Sequence, residues 1–189
     1  MVTYSSAREQ DMPIVAGLFL KTFSRTIRKR HKLPSVKEIT DVFNLFFRAS
    51  DRKGILIAKD KGKIVGFICG LNSLRAPWRL LLTKRIWQLP LFVFTSRAVF
   101  VTPPMLRHFF AGAHITAEAV DAKYRGKGIG RQLGLRILKK LKAQGAKKVL
   151  FETETGNKTI IHLYESIGFV KKQTIRRGKL NWQIMEAEL

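Results

Sequence analysis

Arg125, Gly126, Lys127, Gly128, Ile129, Gly130 and Arg131 follow one another between an apolar run at residues 114–120 and a helical pattern. Here residue types and spacing point most clearly to chemistry. A helix N-terminus leaves backbone N–H groups unpaired and carries partial positive charge, and glycine lets that backbone approach a phosphate closely. Arg125, Lys127 and Arg131 add formal charge, so the turn suits an anionic ligand. A Rossmann dinucleotide site fits less well: Gly126, Gly128 and Gly130 do not have that spacing, and no isolated acidic residue ends the next strand about 20 residues on. A P-loop is excluded, since no Lys followed by Ser or Thr closes the turn. The plainer alternative is a strand-to-helix connection with no ligand, and the basic flanks weigh against it.

Such a turn must be held by a strand before it and a helix after it. Residues 114–120 read as the strand, and Ile129, Leu133, Ile137, Leu138 and Leu141 recur on one helical face that Gly145 can stop. Residues 148–153 form the next strand, Asn157 can cap a helix running to Ile167, and residues 169–175 and 181–188 suit a closing hairpin. Upstream, residues 2–4 read as extended, and Asp11 can cap a helix with Pro13 in its first turn and Ile14, Leu18, Phe19, Phe23 and Ile27 at helical spacing. Ser35 and Glu38 have capping-box spacing before a second helix with Ile39, Val42, Phe43, Phe46 and Phe47. Residues 54–59 and 63–71 are β-rich runs joined by Asp60, Lys61 and Gly62, the composition of a tight hairpin. This order of elements predicts an α/β protein with a mixed sheet and helices on its faces, one domain over residues 1–189.

Composition sets the outer bounds. The chain has 189 residues and 46% apolar content, enough for one domain with a proper core. Its 36 Lys and Arg against 13 Asp and Glu leave a formal charge of +23, which favours polyanionic company such as nucleotides, nucleic acid or an anionic membrane surface. Cys69 alone offers neither an intramolecular disulfide nor a cysteine-based zinc site. The four histidines, His31, His108, His114 and His162, lack ligand spacing with acidic partners, so no metal is expected. Neither a secretory signal nor a spanning helix is evident, and a cytoplasmic protein, with peripheral membrane contact left open, is the expectation.

Two segments together carry a family resemblance. Arg125, Gly128 and Gly130 match the acetyl coenzyme A signature of the GNAT superfamily of N-acetyltransferases: Arg or Gln, two residues, Gly, one residue, Gly or Ala. Asn157, Leu163, Tyr164, Glu165, Gly168 and Phe169 match a second family segment at the usual separation. The resemblance implies two central parallel strands, residues 114–120 and 148–153, that splay apart. It implies that the pantetheine arm of acetyl-CoA pairs with backbone near Ala119 and Val120. The pyrophosphate would sit on amides of Lys127, Gly128, Ile129, Gly130 and Arg131, beside Arg125 and Gly126. Asn157 would serve as both helix cap and coenzyme contact.

Acyl transfer from a thioester to a primary amine needs a deprotonated nucleophile and a proton for the departing thiolate. An alkylamine has a pKa of about 10, so a base helps it react at neutral pH. Tyr164 matches the tyrosine that serves as general acid in many family members. Glu152, twelve positions before it, resembles the base of ribosomal-protein alanine acetyltransferases, and Glu118 on the other splayed strand is the rival. Strand alternation puts Glu118 on a face with His114, Thr116 and Val120, and sets Glu152 opposite Phe151 and Thr153. Glu154 continues the face of Glu152 and suits a cationic substrate.

Residues 72–113 depart from small family members, which join these strands directly. Arg75, Arg79, Lys84, Arg85, Arg97 and Arg107 lie there with no acidic residue, among Leu80, Ile86, Trp87 and Phe92. An interfacial membrane segment, a lid or homodimer surface, and a nucleic-acid contact are all compatible with that composition. The reading is an N-acetyltransferase acting by direct attack in a ternary complex on a small-molecule or protein amine. A catalytically weak module of the same fold, docking on membrane or nucleic acid, is the alternative.

Overall fold

The computed structural model describes residues 1–28, 33–49, 54–72, 112–178 and 180–189. The hairpin expected around Gly62 forms from β2 (Ile55–Asp60) and β3 (Lys63–Asn72), with Asp60 opposite Lys63. Lys61 and Gly62 both have positive φ, 46° and 80°, as a two-residue type I′ turn requires. β1 (Val2–Ser6) pairs antiparallel with β2, and β4 (Ala113–Val120) pairs antiparallel with β3. β5 (Lys148–Glu154) lies parallel to β4, while β6 (Val170–Arg177) and β7 (Leu180–Glu188) complete the mixed sheet. Among the described residues the order is β1-β2-β3-β4-β5-β7-β6.

Helices cover both faces. α1 (Met12–Arg28) and α2 (Val36–Ala49) bury Met12, Phe19, Ile39 and Phe43 against Ile57 and Phe67. α3 (Ile129–Ala143) and α4 (Lys158–Glu165) bury Leu133, Ile137 and Tyr164 against Ile68, Ile115 and Phe151. Each large side chain so buried contributes roughly 1.5–3 kcal/mol. The capping box before α2 is formed, with Ser35 N–H donating to Glu38 Oε2 at 2.7 Å and Glu38 N–H donating to Ser35 Oγ at 3.2 Å. Asp11 departs from its expected role. It ends a 3₁₀ turn (Glu9–Asp11) and its Oδ2 accepts the Arg8 N–H behind it at 2.8 Å, with Lys59 Nζ 3.6 Å from Oδ1.

One irregularity decides which side chains reach which face. Cys69 sits opposite Ala117 and Gly70 opposite Ile115, so Thr116 is an extra residue in β4, its Oγ1 donating to the Cys69 carbonyl at 3.2 Å. Glu118 lies opposite Ile68, on the α3 and α4 face. His114 lies opposite Leu71 instead of sharing that face, which corrects the simple alternation. The physical reason is the bulge, since one extra residue reverses the parity of everything beyond it.

Asn72 pairs directly with Ala113, and its Nδ2 donates to the Gln144 carbonyl, just past α3, at 3.2 Å. The roots of the expected insertion therefore stand at the opposite end of β4 from Glu118 and Val120. Residues 73–111, which carry the membrane, lid, dimer and nucleic-acid readings, lie outside the described residues, as do His31 and His108. Among the described residues no helix is long and apolar enough to cross a membrane.

Candidate active site

The turn after β4 is built for a particular backbone path. Asp121 accepts the Lys123 N–H at 3.0 Å and an ion pair from Lys21 at 3.0 Å, which together hold its carboxyl below the usual range. Gly126 and Gly128 have φ of 74° and 73°, a left-handed conformation that most side chains would strain. Gly128 immediately precedes α3, so the first-turn amides beyond it have no intrahelical acceptor. Arg125, Lys127 and Arg131 are exposed around this end. Arg125 Nε donates to the Val120 carbonyl at 3.2 Å, and Lys127 Nζ stands 5.1 Å from the Tyr124 ring centroid. Gly130 has a different role. It is buried, and a Cβ there would fall 2.7 Å from Glu118 Oε1 and 3.1 Å from Leu163 Cδ1. Its missing side chain lets the first turn of α3 settle onto β4 and α4.

The parallel strands separate as expected. β4 and β5 pair only at Ala113 with Val149, His114 with Leu150 and Ile115 with Phe151. Beyond that, β4 continues against β3 to Val120 and β5 against β7 to Glu154, so their facing edges diverge. The divergence begins where Thr116 is inserted, and a bulge bends and twists its strand at that point. An opening with strand edges on two sides and the start of α3 beside it results.

Three elements meet at a buried pair. Tyr164 on α4 is fully buried, its ring stacked on Phe151 at 3.7 Å and 3°, with Phe169 edge-on at 5.0 Å and 78°. Its hydroxyl donates to Glu118 Oε2 at 2.6 Å. Burial raises the Glu118 carboxyl to about 7, the bond from Tyr164 opposing part of the rise. The phenol is pushed well above its ordinary value by burial and by the charge of Glu118. Glu118 and Tyr164 were legible as separate candidates; their contact was not, because alternation without the bulge aims Glu118 at the other face.

The remaining candidates lie elsewhere. Glu152 is half-buried opposite Ile184, on the sheet face away from Phe151 and Tyr164. Glu154 shares that face, and its buried Oε1 has no hydrogen-bond partner among the described residues. Ala119 is buried toward α1 and α2, and Val120 is half-buried on the α3 side. Asn157 precedes α4, but its side chain makes no cap hydrogen bond; only its carbonyl enters the helix, accepting Ile161 N–H at 3.1 Å. Among the described residues no group of three or more His, Cys, Asp and Glu is placed to hold a metal.

Residues 21–169, which include β4, the glycine turn, α3, β5 and α4, match the model of the acetyltransferase (GNAT) family. The chain belongs to that family. Curated relatives of this GNAT protein include N-alpha-acetyltransferase 30 of Xenopus laevis, 38% identical over 77 residues, which are 41% of this chain and 28% of the relative. Another is the [ribosomal protein bS18]-alanine N-acetyltransferase of Escherichia coli, 39% identical over 60 residues, 32% of this chain and 40% of the relative. The matched segments thus span less than half the length of either relative. Among solved structures, yncA from Salmonella typhimurium with its cofactor acetyl-CoA superposes with a TM-score of 0.68 at 17% identity, over 100% of this chain and 94% of that one. At that identity the likeness is one of fold.

Proposed function

We propose that this GNAT chain transfers the acetyl group of acetyl-CoA to the α-amine of a protein or peptide, by direct attack within a ternary complex. The observation that carries the reading is the opening between β4 and β5, with the amides at the start of α3 on one side and Tyr164, stacked on Phe151 of β5, on the other. Its unpaired strand edges and the amides beyond Gly128 suit an extended amide-bearing arm ending in a pyrophosphate. Ala119 and Val120 offer backbone to the arm, while the amides from Lys127 to Arg131, with Arg125 and Asn157 nearby, would hold the phosphates. Acetyl-CoA brings the activated acyl carbon; the chain supplies position and protons.

Tyr164 is assigned as the acid for the departing sulfur. Glu152 is preferred to Glu118 as the base, directly or through water, because Glu118 is already engaged by Tyr164 and Glu152 lies on the other face of the sheet. Separate faces suit the reaction, since the nitrogen that loses a proton and the sulfur that gains one lie on different sides of the acyl carbon. Glu154, with a buried oxygen lacking a partner among the described residues, shares the Glu152 face and suits the incoming ammonium. The curated relatives, named for α-amines of proteins, favour that acceptor over sugars or polyamines.

Purified protein incubated with labelled acetyl-CoA and a panel of free peptides, N-blocked lysine peptides, polyamines and amino sugars tests the assignment. Label should accumulate on peptide N-termini. Labelling confined to lysine or sugar amines would overturn the acceptor, and absence of coenzyme binding by calorimetry at high micromolar concentration would overturn the enzyme reading.

A further inference from the structure

The contact between Glu118 and Tyr164 poses a chemical problem for an acid. A phenol whose single hydrogen points at a carboxylate cannot also offer it to a sulfur atom. The 2.6 Å bond is short and buried, where such bonds are strong, and a Cβ at Gly130 would fall 2.7 Å from the other carboxylate oxygen, so the carboxyl lies close against the start of α3. We propose that Glu118 is a positioning residue that aims the Tyr164 proton: neutral, it donates to the phenol oxygen and turns the hydroxyl hydrogen toward the acyl donor; ionised, it keeps that hydrogen for itself.

The surroundings leave Glu118 free to work in this way. From α4 it meets Tyr164; the start of α3 brings Gly130 beside its Oε1; β3 sets Ile68 opposite it; and β5 stacks Phe151 on the phenol ring. Among these described neighbours Tyr164 is the titratable group, and no cation fixes the carboxylate in its charged form. Burial accordingly brings the carboxyl to about 7, where both of its forms are populated near neutral pH.

The role rests on the acetyl-transfer reading and completes its proton balance. The amine nitrogen bonds to the acyl carbon and the carbon–sulfur bond breaks, giving amide and thiol. Sulfur takes the Tyr164 proton, the phenolate oxygen recovers one from neutral Glu118, and the carboxylate is reprotonated from water as products leave. The amine's own surplus proton departs through Glu152 or water. Glu118 touches neither reacting atom and acts through Tyr164 alone.

Two measurements test the proposal, one of which needs no substrate. In the free protein labelled with ¹³C-carboxyl glutamate, the resonance lost in Glu118→Gln should titrate with a midpoint near 7, and Tyr164→Phe should move that midpoint upward by removing the opposing bond. An ordinary carboxylate midpoint, or one indifferent to Tyr164→Phe, would sink the proposal. In the acetyl-transfer assay, the wild-type kcat should fall above pH 7, while Glu118→Gln, whose amide N–H donates to the phenol oxygen at every pH, should raise the ratio of kcat at pH 9 to kcat at pH 6 about tenfold or more. This change should vanish in the Tyr164→Phe background, as coupling through one residue demands. Superimposable alkaline limbs would overturn the positioning role while leaving acetyl transfer intact. A wild-type protein that binds coenzyme but acetylates no amine would instead overturn the reading of function, and the resonance measurement would still decide the pair.

Discussion

Removing only the hydroxyl of Tyr164 separates its two jobs, because the ring that stacks on Phe151 remains. Tyr164→Phe should lower kcat about 100-fold, within the range for general acids, with coenzyme affinity by calorimetry nearly unchanged. Equal turnover in the two proteins would remove the acid role. Glu118 makes a second, independent prediction about stability. Its carboxyl rises from about 4.5 in the unfolded chain to about 7 when folded, so the folded state holds its proton more tightly. The stability this gives is complete below about pH 4.5 and is lost as pH rises through about 7, amounting to about 3 kcal/mol as an upper bound. Glu118→Gln does not ionise, so its melting temperature should gain on wild type between pH 5 and pH 8. Parallel melting curves across that window would show that the carboxyl is not held as described.

At the scale of elements, glycines report how closely α3 lies to its neighbours. A Cβ at Gly134 would fall 2.6 Å from Ile167 Cδ1, the end of a flexible side chain, whereas one at Gly130 would meet the Glu118 carboxyl at 2.7 Å. Gly134→Ala should therefore change stability by about 1 kcal/mol or less in denaturant titrations, with activity retained. Gly130→Ala should cost about 1–3 kcal/mol and in addition disturb the pH dependence of turnover. Much of this layer was readable from residues alone. The apolar stripe of Ile129, Leu133, Ile137 and Leu141 fixed α3, and Lys61 with Gly62 fixed the β2–β3 hairpin, because each pattern has one favoured period or turn. The expected mixed sheet and parted central strands also appear in the fold. What could not be read was the extra residue at Thr116, since a bulge leaves no mark on composition and Ala113, Ile115, Ala117 and Ala119 imitate one unbroken apolar face. The pairing of Glu118 with Tyr164 depended on that one residue.

For the molecule as a whole, a formal charge of +23 sets up a field that acts on any polyanion regardless of the active site. Retention on an anionic resin or on nucleic acid should weaken steeply as salt rises from 50 to 200 mM, and should be the same in wild type and Tyr164→Phe. Binding that resists salt would point to a shaped recognition site instead. The pairing of Asn72 with Ala113 has a consequence for taking the protein apart. Facing residues of an antiparallel ladder stand about 5 Å apart, so Asn72 and Ala113, which flank residues 73–112 in sequence, already stand within the span of an ordinary hairpin. The segment is attached like a cassette with adjacent terminals. Replacing it by a two-residue turn should leave the strand register and coenzyme binding in place, and whatever acceptor preference or polyanion affinity then disappears can be credited to the cassette alone.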